Sequence, residues 1–152
     1  MPTFGEHGAH SRHNLAFLDT FFLSQSNDWA VTVMFYTAVH IVESILGKDH
    51  DIHCRKHQER SAYLEKLSGF PCNAYKLLER NAHDSRYKGY KVFDWEVHLW
   101  FKERFIPLVV WYNAQVQTKH PKFVLDLTGC KEKDAAWFQR YLAKDPECNR
   151  WR

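Results

Sequence analysis

Residues 29–46 read WAVTVMFYTAVHIVESIL and are the most apolar segment of this 152-residue chain. In a helix, this segment presents apolar side chains around nearly its whole circumference, which is typical of a helix at the centre of a domain. Asn27 or Asp28 can cap its start, and Gly47 can end it. We expect no transmembrane segment, because a membrane helix needs roughly 18 apolar residues and polar ones break this run at Thr32, Thr37, His40 and Glu43.

Helical spacing of apolar residues predicts further helices on both sides of this segment. Leu15, Leu18 and Phe22, for example, fall on one face of a helix. The predicted helices cover residues 13–25, 29–46, 57–67, 73–86 and 94–117, with a short last helix at 131–142. Pro107 should kink or split the helix that contains it. Phe123–Leu125 could form a strand, but one strand has no partner, so we predict an all-α chain.

The composition fits a single soluble domain with a packed core, since 45% of the residues are hydrophobic and 16% are aromatic. The first 14 residues have no apolar core and do not read as a signal peptide. The four cysteines are far apart and form no CxxC pair, so we expect free thiols and a reducing, cytoplasmic location. They are Cys54, Cys72, Cys130 and Cys148.

Charge is distributed unevenly along the chain. Residues 1–47 contain one Arg and four acidic residues, whereas residues 48–91 contain ten Lys or Arg, six acidic residues and four of the ten His. A basic centre of this kind would attract a polyanion such as RNA. A solvated surface of mixed charge is the commoner meaning of such a distribution.

Several residues together resemble the HEPN superfamily of helical RNA-directed domains. The chain has a W-A-V…F-Y-x-A-x-H helix at 29–40, then His57-x-x-Arg60, then Ser85-Arg86-Tyr87. The resemblance covers residues 13–117 and implies an antiparallel four-helix bundle that commonly dimerises. Residues 1–12 are then a flexible N-terminus, and residues 118–152 form a C-terminal extension with the extra short helix.

Active members of that superfamily cut RNA at a site shared across the dimer, with an Arg, four to six residues, and then a His. No Arg in this chain has a His at that distance; the nearest pair is Arg80 and His83, with a gap of two residues. These two share a helix face and are our candidate catalytic residues, since metal-independent cleavage needs a base and a cation. The alternative is an ordinary exposed Arg and His on a solvated helix.

Candidate RNA-binding residues lie in the same basic region. His57 and Arg60 share a helix face, and an Arg guanidinium can donate two parallel hydrogen bonds to a phosphate. The alternative is that Arg60 or Arg86 pairs with Glu43 or Glu59 and fastens the helices together. The predicted RNA-binding set is Lys56, His57, Arg60, Arg86 and Lys88.

His40 lies one turn after Tyr36 in the most apolar helix. Either it is a core histidine hydrogen-bonded to a facing helix, through Tyr87 or Arg86, or it belongs with Tyr36 and Tyr87 to a functional pocket. His53, Cys54 and His57 suggest a zinc site, but only His50 or Cys72 could complete it, and no second ligand pair has regular spacing. The prediction is therefore no metal and no cofactor.

We expect an RNA-directed protein of a prokaryotic or phage conflict system, such as defence or toxin–antitoxin. It would be an atypical or degenerate ribonuclease, or an RNA-binding relative. The alternative is a non-catalytic helical adaptor acting through protein–protein contacts, which exposed aromatics at Trp137 and Trp151 would favour. The aromatic residues of 94–117 predict a homodimer, or an equivalent hetero-oligomer, through that helix.

Overall fold

The computed structural model of the protein describes residues 3–24 and 27–125. No strand occurs in these two ranges, which confirms the all-α prediction for them; Pro121–Phe123 is a 3₁₀ turn, and no strand forms at 123–125. The predicted helix at 131–142, with Trp137 and Trp151, lies outside the described residues. The helices are α1 (Phe4–Ser24), α2 (Asn27–His50), α3 (His57–Leu64), α4 (Cys72–Tyr87), α5 (Asp94–Trp100) and α6 (Ile106–Val116).

Helix α2 is the centre of the fold, as its sequence predicts. It packs against α1, α4 and the last helical segment, and Val31, Met34, Phe35 and Ile41 are buried in the common core. By length and composition, α2 is the one helix in the described ranges that could cross a membrane. Most of its apolar stretch is buried inside the chain, as in the core helix of a folded domain.

Helix α2 does not end at Gly47, as the sequence predicted, but continues to His50. Asp51 then takes the left-handed backbone conformation, with φ of 53°, and closes the helix. Gly47 has another role, since a Cβ atom there would lie 2.8 Å from Cε1 of His53. The glycine therefore allows the His53 ring to lie against the helix backbone.

Helix α1 begins at Phe4, so the prediction of a flexible segment at 1–12 is wrong from Phe4 onward. The cause is a capping box: the Thr3 amide donates to the Glu6 carboxylate at 2.6 Å, and the Glu6 amide donates to Thr3 Oγ1 at 3.3 Å. This reciprocal pairing satisfies two backbone donors at the helix start. As a result His7 and Ser11 lie on a buried face of α1.

The segment 94–117 is one helical run interrupted by a π-helical turn at Phe101–Phe105. In this turn the Ile106 amide donates to the Phe101 carbonyl, five residues back. Pro107 comes two residues after this turn and has no amide hydrogen, so it cannot donate the usual helical hydrogen bond. The wider π-helical turn lies where this bond is missing. The large side chains of this run mostly fill the chain's own core: Trp100, Phe101, Phe105, Leu108 and Tyr112.

Candidate functional site

One face of α2 carries two different groups of side chains. Positions 29, 33, 36, 40, 43 and 47 are separated by three or four residues and therefore lie in one row. The first half of the row carries the exposed rings of Trp29 and Tyr36. The second half carries His40 and Glu43, which are covered by the start of α1 and by the segment after α2. We name this second group and its neighbours the histidine–glutamate cluster: His7, His10, His40, Glu43 and His53.

The histidine–glutamate cluster brings together residues from three separate segments. Nδ1 of His7 lies 3.0 Å from Nδ1 of His40, and the His10 ring stacks on the His40 ring with centroids 5.0 Å apart. One ligand-type atom from each of His7, Glu43 and His53 lies within 4.8 Å of the other two. His7 and Glu43 are buried and His53 is half-buried.

Burial favours the uncharged form of both central histidines. Burial, followed by the nearby His7, His10 and Arg60, lowers the pKa of His40 to about 4. Burial also lowers the pKa of His7, although the negative charge of Glu43 acts in the opposite direction. A neutral imidazole has one N–H and one lone pair, so one Nδ1 donates to the other.

Glu43 is held by a buried ion pair. Nε of Arg60 donates to Oε1 of Glu43 at 2.6 Å, and both residues are about 5% exposed. The same guanidinium lies 3.0 Å from Nδ1 of His57 and donates to the Cys54 carbonyl at 3.4 Å. The Cys54 amide donates to Oε2 of Glu43 at 3.4 Å. Of the two alternatives for Arg60, the structure therefore shows the pairing with Glu43.

The candidate catalytic pair lies on the exposed face of α4, around Asp84. Nδ1 of His83 is 3.3 Å from one Asp84 oxygen, and Nε of Arg80 is 3.9 Å from the other. Lys88 reaches the same carboxylate at 2.9 Å, and its hydrogen bond, followed by that of His83, lowers the pKa of Asp84. The side chains of Arg80 and His83 are 76% and 55% exposed. They share a carboxylate partner and lie on an open surface.

Arg86 joins the end of α4 to α2 through two aromatic rings. Its NH1 donates to the Tyr36 hydroxyl at 3.0 Å. The centre of its guanidinium lies 5.3 Å from the Tyr36 ring centroid and 5.0 Å from that of Tyr87. The sequence hypothesis that linked His40 to Tyr87 or Arg86 is therefore wrong: the hydrogen-bond partner of His40 is His7, on α1.

More exposed aromatic rings lie on the segments next to Arg86. The Asn27 side chain donates to the Val92 carbonyl at 3.0 Å and to the Asp94 carboxylate at 2.7 Å, which ties the start of α2 to the linker before α5. We name the resulting region the aromatic–cationic surface. Its members are exposed or half-buried, and they are Trp29, Tyr36, Arg86, Tyr87, Lys88, Tyr90, Lys91, Phe93 and Trp95.

The predicted RNA-binding residues divide between two places. Arg86 and Lys88 lie on the aromatic–cationic surface, at the end of α4. Lys56 and His57 are exposed at the start of α3, beside the buried Arg60. Lys56, His57 and Arg60 are close in the sequence, but the first two are exposed and Arg60 is buried.

The sequence did not point to His7, His10, Glu43 or His53 as one site. Two signals were available: Thr3-x-x-Glu6 is a capping box that begins a helix, and within that helix His7 and His10 share a face. His40 and Glu43 share a face in the same way. That the two faces meet, with His53 beside them, depends on tertiary packing.

Comparison with protein-family models, with curated proteins and with solved structures gives no match for this chain.

Proposed function

We propose that this protein binds single-stranded RNA across the aromatic–cationic surface. The observation that carries the proposal is the Arg86 guanidinium, which lies against the exposed rings of Tyr36 and Tyr87. Exposed rings stack on unpaired bases, and adjacent cations contact the phosphates that join those bases. Arg86 supplies both, because its planar guanidinium can stack as well as pair with phosphate.

The arrangement of the rings suits a flexible strand. Trp29 and Tyr36 are seven residues apart on one helix face, which is about 10 Å along the axis. Tyr87 is 68% exposed and Trp29 is 61% exposed, so a large part of each side chain is open to solvent. A duplex keeps its bases stacked inside and cannot use such rings, so the surface favours unpaired RNA.

The local charge also favours a polyanion. Lys88 and Lys91 flank Tyr87 and Tyr90 in the sequence, and Arg80 lies two turns before Tyr87 on α4. Asp84 is their acidic neighbour and already contacts Lys88. Each phosphate bound there would release condensed counterions, which makes the affinity strongly dependent on salt.

The family resemblance belongs to this proposal as well. A HEPN-like antiparallel four-helix arrangement, a two-fold dimer through residues 94–117 and a role in a prokaryotic or phage conflict system are all consistent with an RNA-binding helical chain. Val110 is exposed on the 94–117 segment, outside the aromatic–cationic surface, and is an apolar side chain that a second copy would cover.

Cleavage, within this proposal, would rest on α4. His83, oriented by Asp84, would accept the proton of a ribose 2′-hydroxyl, and Arg80 would stabilise the charge that develops on the phosphate. Both groups are open to solvent beside the aromatic–cationic surface, so a bound strand could reach them. Cleavage should then persist in chelator and be lost in His83→Ala, with RNA affinity nearly unchanged.

The test is a binding titration with a labelled oligouridylate of about 12 nucleotides, a length within the usual range of such sites. We expect Tyr36→Ala and Tyr87→Ala each to weaken binding about 5- to 150-fold, since a stacked base contributes about 1–3 kcal/mol. Arg86→Lys should weaken binding while keeping most of the salt dependence, whereas Arg86→Ala should also flatten the slope by about 0.7. Phe17→Ala on α1 is the matched control, because Phe17 is 48% exposed and lies elsewhere.

A duplex of the same length should bind much more weakly than the single strand. If the wild-type chain does not bind the oligouridylate at low salt, or if Phe17→Ala weakens binding as much as Tyr36→Ala does, the proposal is wrong. The alternative, an adaptor that docks a protein on the same exposed rings, would then be the better account of this surface.

A further inference from the structure

We propose that His7, Glu43 and His53 bind a divalent first-row transition metal ion, with Zn²⁺ as the best match to the donor set. The proposal is independent of RNA binding, because these residues lie in the covered half of the α2 row. Two imidazoles and one carboxylate form a donor set that proteins use for Zn²⁺, and it leaves a coordination position open for water or a substrate atom.

The distances fit an ion after a small closure. The three ligand-type atoms lie within 4.8 Å of one another. Around a tetrahedral Zn²⁺ with bonds of about 2.0–2.1 Å, ligand atoms are about 3.3 Å apart. Side-chain rotation can supply the remaining ångström or so, because His53 is only half-buried and lies on the segment between α2 and α3.

Each ligand already has the kind of outer partner that metal ligands use. The His7 ring is fixed by its hydrogen bond with His40, and Glu43 is fixed by Arg60 at Oε1. Oε2 of Glu43 has only the longer contact with the Cys54 amide, so it is the oxygen open to a metal. Such outer partners set ligand orientation, and their loss typically costs 10- to 100-fold in metal affinity.

Gly47 is a second, independent observation in favour of the site. A side chain at this position would overlap the His53 ring, because its Cβ would be 2.8 Å from Cε1. Glycine in the interior of a helix costs about 0.5–1 kcal/mol relative to alanine. Gly47 is therefore unfavourable for helix stability, but its lack of a side chain leaves the space in which His53 can approach Glu43.

The charges around the site are compatible with a cation. Arg60 is the positive group that faces Glu43, and it also contacts His57 and the Cys54 carbonyl. His10 stacks on His40 from α1, and the His7 and His40 rings are uncharged. A metal ion bound to Oε2 of Glu43 would therefore lie on the opposite side of the carboxylate from the Arg60 guanidinium. The negative carboxylate between them reduces the repulsion between the two cations.

The experiment uses the full chain, stripped of metal with a chelator and titrated with Co²⁺ and, in competition, with Zn²⁺. We expect saturable binding of one ion per chain, with a visible absorption band from Co²⁺, and a rise in melting temperature with Zn²⁺ concentration. Native mass spectrometry gives the stoichiometry directly. His53→Ala should lose at least about 100-fold in affinity, and His40→Ala about 10- to 100-fold as a positioning residue.

Gly47→Ala is the decisive variant, because it should fold at least as well as the wild type. Alanine favours the helix, so the circular dichroism spectrum should be retained, while displacement of His53 should weaken Co²⁺ and Zn²⁺ binding at least about tenfold. His13→Ala, on the exposed face of α1, should bind like the wild type. Tyr36→Ala should also bind the metal normally, which separates this test from the test of RNA binding.

Three results would overturn the proposal: no saturable binding of one ion per chain, equal loss of affinity in His13→Ala, or unchanged affinity in a folded Gly47→Ala. In each case the histidine–glutamate cluster would be a hydrogen-bonded polar network that fastens α1 to α2.

Discussion

Arg60→Met should destabilise the protein by about 3–4 kcal/mol at pH 7. The substitution keeps an apolar stem of similar length but leaves the Glu43 carboxylate buried beside Cys54 and without its 2.6 Å partner. Removing one member of a buried ion pair costs about 3–5 kcal/mol, because the remaining charge has neither water nor a counter-charge. A glutamate with an ordinary pKa can be protonated at pH 7 at a cost of about 3.7 kcal/mol. The destabilisation should not exceed this value, because protonation would remove the buried charge.

The measurement is chemical and thermal unfolding in chelator, combined in a double-mutant cycle with Glu43→Gln. For a chain of this size, 3 kcal/mol corresponds to a fall in Tm of about 6–12 °C. Glu43→Gln should recover part of the stability lost in Arg60→Met, with a coupling energy of at least about 1.5 kcal/mol.

Arg80→Met is the matched control, since the Arg80 side chain is 76% exposed and lies 3.9 Å from Asp84. Its unfolding free energy should stay within about 0.5 kcal/mol of the wild type. The reasoning is refuted if Arg60→Met costs less than about 1 kcal/mol, or if its effect and that of Glu43→Gln simply add. Arg60 would then be a weakly held cation, and the alternative of phosphate binding would regain support.

Three further outcomes are expected from the same contacts. Thr3→Ala should lower the unfolding free energy by about 1 kcal/mol through loss of the capping box; no change in Tm would mean that α1 begins later than Phe4. His40→Ala should cost about 1–3 kcal/mol, because it removes the partner of His7 and the ring on which His10 stacks; an unchanged melting curve would place His40 outside the folded core. Light scattering at tens of micromolar should show a dimer that Val110→Asp converts to a monomer, whereas a monomeric wild type would rule out self-association through residues 94–117.

The arrangement around α2 could be predicted because apolar periodicity is a local signal with a strong physical cause. An 18-residue segment with apolar side chains on nearly every side and several polar residues within it is typical of the centre of a fold. One error came from considering a single residue in isolation. Gly47 looked like a helix terminator, and only the position of His53 shows why a glycine is accommodated in the helix interior.

The candidate site could be predicted only in part, for a different reason. Arg86 was singled out as a surface cation, and it lies on the aromatic–cationic surface with Tyr36 and Tyr87. The histidine–glutamate cluster combines two residues of α1, two residues of α2 and His53 from the segment after α2, and spacing along one helix cannot show which faces meet. The pairing of Arg60 with Glu43 was one of two alternatives, and burial decides between them because a buried guanidinium requires a counter-charge.

The early start of α1 affects how the protein should be produced for biochemical work. Trimming residues 1–12 as a dispensable tail would remove the Thr3–Glu6 cap and the imidazoles of His7 and His10 in a single step. A polyhistidine purification tag joined to that end would place a run of competing imidazoles a few residues from His7. Preparations with and without such a tag would then differ in metal content for reasons unrelated to the native ligands. An untagged chain purified by ion exchange avoids that artefact.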